Sequence, residues 1–231
     1  MKVLVACEES QRVCTAFRER GHDAYSCDLQ ECSGGHPEWH IQGDVFKVLN
    51  GCTTFETQDG KTHLIGTRWD LIIAHPPCTY LSAVGTRHLY GGGVLHIDRF
   101  NKGVEAAEFF MKILNAECDH ICVENPMQFK CFGLPKYTQI IHPYEYGDPY
   151  DKRTCLWLKG LPLLKPTNVL DEWNNCSQRK GEKGKSWYTQ GGKDRQKNRS
   201  KTFWGIARAM SDQWGQGLKP DEYQYSVYDY L

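Results

Sequence analysis

The sequence predicts an α/β domain built on a mainly parallel, doubly wound sheet. Short apolar segments typical of strands alternate with amphipathic segments typical of helices, and several strand-like segments end in an acidic or polar residue. Of the 231 residues, 40% are hydrophobic and 24% are charged, which is enough apolar material for one core. Sheets of this class bind ligands at the carboxyl ends of their strands, so functional residues are expected there.

The N-terminal segment predicts a strand, a helix and a second strand. Residues 2–6 form a short buried strand, and residues 11–20 form an amphipathic helix that Ser10 can cap. Residues 23–27 form the next strand, which leads into Asp28. This alternation is the expected opening of a doubly wound sheet.

The same alternation continues along the chain. Residues 40–45 predict a third strand that places Asp44 at its end, and residues 69–74 (Trp-Asp-Leu-Ile-Ile-Ala) predict a buried strand that runs into two prolines. Further elements are predicted as a helix at 101–115, strands at 120–123 and 154–158, and a last helix at 201–214.

Residues 165–200 predict an irregular basic insertion. Between residues 176 and 201, nine Lys or Arg residues stand against two acidic ones, although the whole chain has a net charge of zero. Trp187 and Tyr188 add aromatic faces, a combination typical of surfaces that bind nucleic acid strands. A solvated loop is the alternative interpretation. We therefore divide the chain into a catalytic domain at 1–164, this insertion, and a C-terminal helix and tail at 201–231 that return to the catalytic domain.

Composition also limits the class of protein. No apolar run approaches the roughly 20 residues of a membrane helix and no signal peptide is evident, so a cytoplasmic protein without a membrane partner is expected. The eleven cysteines are scattered through predicted strands and helices, which favours reduced thiols. No metal site is predicted, because the histidines near the crevice lack the spacing of a helical metal site and are expected on the surface or in loops: His36, His40, His75, His88 and His96.

Two polar residues follow predicted buried strands in a pattern that suggests chemistry. Cys78 stands in His-Pro-Pro-Cys, and Glu124 stands in Val-Glu-Asn. Carbon 5 of cytosine accepts a methyl group only after a thiolate adds to carbon 6, and an acid near N3 stabilises that adduct. Cys78 and Glu124 suit these two roles. Either residue alone could be structural, as a turn cysteine or as a carboxylate that caps a helix.

The segment His-Pro-Pro-Cys-Thr-Tyr-Leu-Ser at residues 75–82 resembles the Pro-Pro-Cys loop of DNA cytosine-C5 methyltransferases, and Val-Glu-Asn at residues 123–125 resembles their Glu-Asn motif. The resemblance implies a Rossmann-like class I methyltransferase that depends on S-adenosylmethionine and acts in DNA methylation, as in restriction-modification. It implies that Cys78 attacks carbon 6 and Glu124 engages N3, with Asn125 as the third catalytic residue.

The resemblance also implies contacts to S-adenosylmethionine. Asp28 suits the carboxylate that binds the ribose hydroxyls, and Asp44 resembles the acidic residue at the adenine edge. Family members carry a glycine-rich turn after the first strand, where this chain has Cys-Glu-Glu-Ser. The full set of expected cofactor-binding residues is Cys7, Glu8, Glu9, Ser10, Asp28, Leu29, Asp44, Pro76 and Thr202.

On the substrate side, Lys152 and Arg153 resemble a basic element of the family, in which Thr154 replaces one arginine. The implied substrate-binding residues are Pro77, Ser82, Lys152, Arg153 and Arg199. The implied partner is DNA whose target base is flipped out, in a small, phage-type member without a large target-recognition domain. Two alternatives stay open: a free pyrimidine nucleotide as the substrate, or an inactive nucleic-acid-binding module that has kept the fold.

Overall fold

The computed structural model describes residues 1–51, 54–64, 66, 68–170 and 200–216. The strands, in chain order, are β1 (Lys2–Ala6), β2 (Asp23–Asp28), β3 (His40–Gln42), β4 (Phe55–Glu56), β5 (Thr62–His63), β6 (Leu71–Ala74), β7 (Tyr90–Gly91), β8 (Val94–Leu95), β9 (Ile121–Asn125), β10 (Gln139–Ile141) and β11 (Thr154–Lys159). The α-helices are α1 (Arg12–Arg18), α2 (Ile97–Leu114) and α3 (Trp204–Trp214). Short 3-10 helices lie at Pro37–Trp39, Val45–Lys47, Ala83–His88, Lys130–Phe132 and Pro143–Glu145.

Seven strands form the central sheet, in the order β10-β11-β9-β6-β1-β2-β3. β11 runs antiparallel to both of its neighbours, whereas the pairs β9–β6, β6–β1, β1–β2 and β2–β3 are parallel. Two separate antiparallel hairpins are formed by β4 with β5 and by β7 with β8. The predicted mixed α/β architecture with a mostly parallel sheet is therefore confirmed.

Helices cover both faces of the sheet because alternate residues of a strand point to opposite sides. On one face, Val3 and Val5 pack against α1 and α3, with Phe17 and Trp214 among the fully buried side chains. On the other face, α2 packs through Phe110 on the alternate strand residues. The strands read as apolar runs because both of their faces are buried.

The start of α1 differs from the sequence prediction. Ser10 does not cap this helix, because Gln11 precedes it in the left-handed region, with φ 57° and no capping side-chain bond. The carboxylate of Glu8 takes that role instead, since it accepts hydrogen bonds from the amides of Val13 (2.8 Å) and Cys14 (3.2 Å). The free amides at the start of α1 are thus bonded by Glu8 and not by Gln11, the residue that directly precedes the helix.

Other boundaries shift by a few residues. α2 begins at Ile97, earlier than predicted, and β3 ends at Gln42, so Asp44 lies beyond the strand. β9 extends through Glu124 and Asn125, because β11 continues to pair with both residues. β10 was not predicted from the sequence. These limits are set by strand pairing rather than by the local pattern.

The C-terminal segment returns to the N-terminal one. α3 packs along α1, and Arg20 forms an ion pair with Asp212. Most of the predicted basic insertion, with Trp187, Tyr188 and Arg199, lies outside the described residues, and its domain boundaries stay a prediction. Within the described ranges, no helix has both the length and the apolar character to cross a membrane. The nine cysteines described there are free thiols.

Candidate functional site

The carboxyl ends of the parallel strands form one row along an edge of the sheet. Ala6 is in register with Cys27 of β2 and Ala74 of β6, and Ala74 is in register with Val123 of β9. β11 runs the other way, so its first residue, Thr154, lies at this same edge. The chain turns from β1 to β2 on one side and later crosses to β6 on the other, so a ligand-binding crevice is expected between the ends of β1 and β6.

The loop that carries Cys78 is anchored at both ends. At its start, the amide of His75 donates to the carbonyl of Ala6 (2.9 Å). At its end, Ser82 forms a β-bridge with Gln128, next to the fully buried Leu81. Between these anchors the carbonyl of Cys78 accepts hydrogen bonds from the amides of Leu81 (3.2 Å) and Ser82 (3.0 Å), which closes a tight turn. Cys78 itself is half-buried.

Glu124 and His75 form a buried hydrogen-bonded pair at the adjoining strand ends. Nδ1 of His75 lies 2.8 Å from Oε2 of Glu124, and each side chain is 8% exposed. Burial by itself lowers the pKa of His75, but the hydrogen bond and charge of Glu124 outweigh it and raise that pKa overall. Burial raises the pKa of Glu124, but the charge of Lys152 and the bond to His75 lower it overall. Both directions favour a protonated His75 beside an ionised Glu124.

Two further residues reach this pair from distant parts of the chain. Lys152 precedes β11. Its positive charge lowers the pKa of Glu124 against the effect of burial, and it lowers the pKa of His75 against the effect of the carboxylates. Its amino group also lies 5.9 Å from the ring centre of Phe203. Oγ1 of the buried Thr202 lies 3.4 Å from Nδ1 of His75. The sequence-predicted residues Lys152 and Thr202 therefore both act on this pair, Lys152 through its charge and Thr202 through its contact with His75.

Asn125 fixes the backbone in front of Cys78. Its Nδ2 donates to the carbonyl of the buried Pro76 (2.9 Å), and the side chain is almost fully buried. Its Oδ1 is buried and accepts no hydrogen bond from any described residue. Asn125 thus ties the end of β9 to the start of the loop that carries Cys78, and its Oδ1 is an unsatisfied buried acceptor.

The turn after β1 uses a backbone conformation that favours glycine. Cys7 has φ 59°, and its amide and that of Glu8 both donate to the carbonyl of Cys27 (2.7 and 3.3 Å). Burial raises the pKa of the Cys7 thiol well above its usual range, and the charges of Asp28 and Asp44 raise it further. Cys7 thus adopts, without being glycine, the conformation for which glycine is suited.

The polar residues of this turn are largely enclosed. Glu8, Glu9 and Ser10 are all buried, and the carbonyl of Glu9 accepts a hydrogen bond from the amide of Ser33 (2.7 Å). Glu8 is occupied by the amides of α1, as described above, and burial raises its pKa. Gln11 holds the following loop through two bonds to the backbone of His36 (2.8 and 3.1 Å). The loop after β2 therefore folds over the turn after β1.

Asp28, Leu29 and Asp44 lie toward solvent at the same edge. Oδ1 of Asp28 accepts from the amide of Gln30 (2.9 Å), and Oδ1 of Asp44 accepts from the amide of Phe46 (3.0 Å). Leu29 directly follows Asp28 and is 75% exposed. The arrangement offers two carboxylates for hydroxyl or amino groups and an apolar side chain for a flat ring.

Three of the four other residues predicted to contact the substrate lie in the described part of the chain: Pro77, Ser82 and Arg153. Pro77 and Arg153 are exposed, and Ser82 is half-buried with its Oγ 3.3 Å from the amide of Gly85. Arg199 lies outside the described residues. No group of three or more His, Cys, Asp or Glu side chains in the described part of the chain has the arrangement of a metal site.

The expectation of a surface or loop position is wrong for His40, which is fully buried in β3, whereas His75 lies in the loop after β6 as expected, with its side chain only 8% exposed. His75 is buried against Glu124, and His40 is fully buried with Nδ1 2.8 Å from Oγ of Ser26. Both residues border a strand of the sheet, and the partners that bury them come from other strands. Both histidines stand in or next to a predicted buried strand, and this position is the sequence signal that indicates their burial.

No protein-family model matches this chain, and no curated protein matches it either.

Proposed function

We propose that this chain is a Rossmann-like class I methyltransferase that transfers the methyl group of S-adenosylmethionine to carbon 5 of cytosine in DNA. Cys78 is the nucleophile and Glu124 acts at N3. The observation that carries the proposal is the cross-linking of the cysteine loop to β9: Asn125 binds Pro76, and Glu124 binds His75. These two bonds hold the start of the loop with the half-buried Cys78 against the end of β9, where Glu124 lies, and the resemblance expects these two residues in one site.

The chemistry follows from these groups. The thiolate of Cys78 forms a bond to carbon 6, the C5=C6 electron pair moves to C4–C5, and the C4=N3 pair moves to N3, which takes a proton from the Glu124 side. Carbon 5 is then nucleophilic enough to accept a methyl group. Afterwards the proton on carbon 5 passes to solvent water, the bond between sulfur and carbon 6 breaks, N3 returns its proton, and the thiolate is restored.

The residues at the ends of β1 to β3 fit S-adenosylmethionine. When bound, this cofactor supplies an electrophilic methyl group on a sulfonium. The left-handed Cys7 lets the backbone turn sharply at the crevice, as a close approach to a ligand requires. Asp28 would bind the ribose hydroxyls and Asp44 the adenine amino group, with the exposed Leu29 against the ring. The resemblance adds Pro76 and Thr202 to the proposed cofactor contacts; Pro76 stands two residues before Cys78, and Thr202 contacts His75.

A basic and aromatic surface beside Cys78 favours DNA over a free nucleotide. Arg99 and Lys102 lie over the ring of Tyr80, at 5.1 and 5.8 Å from its centre. Arg99 also donates to the carbonyl of Thr79 (3.1 Å), which ties this surface to the nucleophile loop. The residues border an open cavity of about 470 Å³. Cations and an aromatic face are what flanking phosphates and bases bind.

The test is methyl transfer from isotope-labelled S-adenosylmethionine, followed by mass spectrometry of the nucleosides. Duplex DNA, single-stranded DNA and dCMP are supplied in parallel, with Cys78→Ala as the inactive control. We expect label in 5-methylcytosine from DNA, and binding to duplex DNA that weakens steeply with salt because counterions are released. Label in dCMP alone would support the nucleotide alternative.

The inactive-module alternative predicts a different result. DNA would bind in a salt-dependent manner, but calorimetry would detect no binding of S-adenosylmethionine and no 5-methylcytosine would form. Label at any position other than carbon 5 of cytosine would contradict the proposed chemistry.

A further inference from the structure

We propose that His75 is a positioning residue that stores the proton which Glu124 delivers to N3 of the target cytosine. This inference rests on the proposed function and adds a residue to it. It assigns to a histidine beside the nucleophile loop a task that neither Cys78 nor Glu124 performs alone.

The geometry that carries the inference is a direct bond inside the crevice. Nδ1 of His75 lies 2.8 Å from Oε2 of Glu124, with both side chains 8% exposed, so bulk water does not exchange protons freely with the pair. Nε2 of His75 is buried and has no hydrogen-bond partner among the described residues. His75 therefore makes its polar contacts through Nδ1, to Glu124 and to Thr202 at 3.4 Å.

The charged groups around His75 come from every strand end that packs against it. Glu8 follows β1, Glu124 is the penultimate residue of β9, and Lys152 precedes β11. The two carboxylates raise the pKa of His75 against the opposing effects of burial and of Lys152. The same surroundings lower the pKa of Glu124, so the carboxyl group is ionised at rest and lacks the proton that N3 needs. That proton is held by His75, which is hydrogen-bonded to Glu124.

The proton balance closes within the pair. At rest the pair holds one transferable proton, on Nδ1 of an imidazolium whose Nε2 keeps its own hydrogen. As the bond from Cys78 to carbon 6 forms and an electron pair localises on N3, that proton moves to the Glu124 carboxylate and the carboxyl group gives a proton to N3, which leaves His75 neutral. When the adduct breaks down, N3 returns its proton to the pair. No oxidant, reductant or metal takes part.

A purely structural role makes a different prediction about pH. If His75 only orients Glu124, a neutral hydrogen-bond donor at the same place should preserve the pH dependence. If His75 stores the proton, the alkaline limit of activity is set by His75, because the store is lost as the pH rises through its raised pKa. Acid–base groups of this kind contribute about 10²- to 10⁴-fold to a rate.

The experiment uses His75→Asn, because the amide of Asn can donate to Glu124 from about the position of Nδ1 but cannot titrate. The measured quantity is the exchange of the C5 hydrogen of cytosine in DNA with D₂O, since the adduct with Cys78 makes carbon 5 exchangeable before any methyl transfer. Rates are recorded from pH 5 to pH 9 on the full chain. His40→Asn is the matched control, because His40 is also buried but bonds Ser26 and the carbonyl of Gln30 instead (both 2.8 Å).

We expect His75→Asn to lower the exchange rate at pH 7.5 by at least about tenfold. In the plot of its exchange rate against pH, the alkaline limb, where the rate falls as the pH rises, should move toward acid pH. The reason is that the proton is then held by Glu124 alone. His40→Asn should keep the wild-type limb even if it lowers stability. An unmoved limb in His75→Asn overturns the proton store while the methyltransferase stands. Absence of both exchange and methyl transfer in the wild-type chain overturns the proposed function, and this inference with it.

Discussion

The two sides of the crevice are built in different ways. We name the half with the proposed nucleophile the nucleophile half and the half with the proposed cofactor contacts the cofactor half. The nucleophile half, formed by residues 75–82, 124–125, 152 and 202, is held by side-chain bonds between residues far apart in sequence, as in the pair of His75 with Glu124. The cofactor half, formed by residues 7–11, 28–29 and 44, uses its carboxylates locally: Asp28 and Asp44 each bond an amide two residues ahead. The nucleophile half therefore engages its carboxylate in a tertiary contact, whereas Asp28 and Asp44 of the cofactor half bond within their own turns, although Gln11 there also holds the distant backbone of His36.

This difference predicts where substitutions act. In the nucleophile half, a change should reduce the rate of reaction and alter the pH dependence, because the bonds there join groups that share a proton. In the cofactor half, a change should alter local stability or cofactor affinity and leave the nucleophile in place. The following predictions test that division, starting with the largest effect.

Glu124→Gln should lower methyl transfer by about 10²- to 10⁴-fold, because the amide cannot deliver a proton to N3. The affinity for S-adenosylmethionine should stay nearly unchanged, since the proposed cofactor contacts lie on other strand ends. Steady-state kinetics and calorimetry measure the two quantities. A loss of cofactor affinity with the rate preserved would reverse the assignment of the two halves.

The pair of His75 and Glu124 should make stability depend on pH. The raised pKa of His75 means that its contribution is complete below the ordinary value of 6.5 and is lost as the pH rises through the folded-state pKa. The lowered pKa of Glu124 means that its contribution is present above 4.5 and is lost as the pH falls through its own folded-state pKa. The pair should thus stabilise most between pH 4.5 and 6.5.

Denaturant unfolding across this range checks the prediction against a double variant, His75→Asn with Glu124→Gln. The wild-type chain should lose up to about 3 kcal/mol of unfolding free energy relative to the double variant as the pH rises above the window, the size of a hydrogen bond to a charged group. Parallel curves for the two proteins would show that the pair does not titrate as an ion pair.

Glu8→Ala should destabilise the fold by about 1 to 2 kcal/mol, because the amides of Val13 and Cys14 lose their acceptor at the start of α1. Thermal or urea unfolding measures this loss. Ser10→Ala is the matched control and should change stability by less than about 0.5 kcal/mol, since Ser10 does not cap the helix. An equal loss in both variants would show that the cap is shared.

Asp44→Asn should have the smallest effect on the fold, within about 0.5 kcal/mol, because the exposed side chain can still accept from the amide of Phe46. The affinity for S-adenosylmethionine should fall by about tenfold, the order of one charge-assisted hydrogen bond. Calorimetry with Asp23→Asn as an exposed control gives the comparison. Unchanged affinity would remove Asp44 from the cofactor half.

The sheet was predictable because burial on both faces leaves apolar runs that end at polar residues. Strands β1, β2, β6 and β9 were expected near their observed positions, and their ends brought Cys78, Glu124 and Asn125 to one edge. β10 has three residues, and it forms because β11 lies beside it. A strand of this length owes its existence to pairing, which the local sequence does not encode.

The candidate site was predictable in its residue types but not in its bonds. The burial of His75 depends on Glu124 and Thr202, which lie 49 and 127 residues further along the chain. The role of Glu8 depends on the left-handed backbone of Gln11, a conformation that is uncommon in residues other than glycine and that no motif here indicates. Contacts that decide protonation thus arise from the fold rather than from a motif.

The central claim is that the thiolate of Cys78 bonds to carbon 6 of a cytosine. A duplex that carries 5-fluorocytosine, incubated with the protein and S-adenosylmethionine, should trap this adduct because fluorine cannot leave carbon 5 as a proton does. Intact mass spectrometry and peptide mapping should find one nucleotide attached at Cys78, and none in Cys78→Ala. Attachment at another cysteine, or DNA that binds without any covalent complex, would contradict the account.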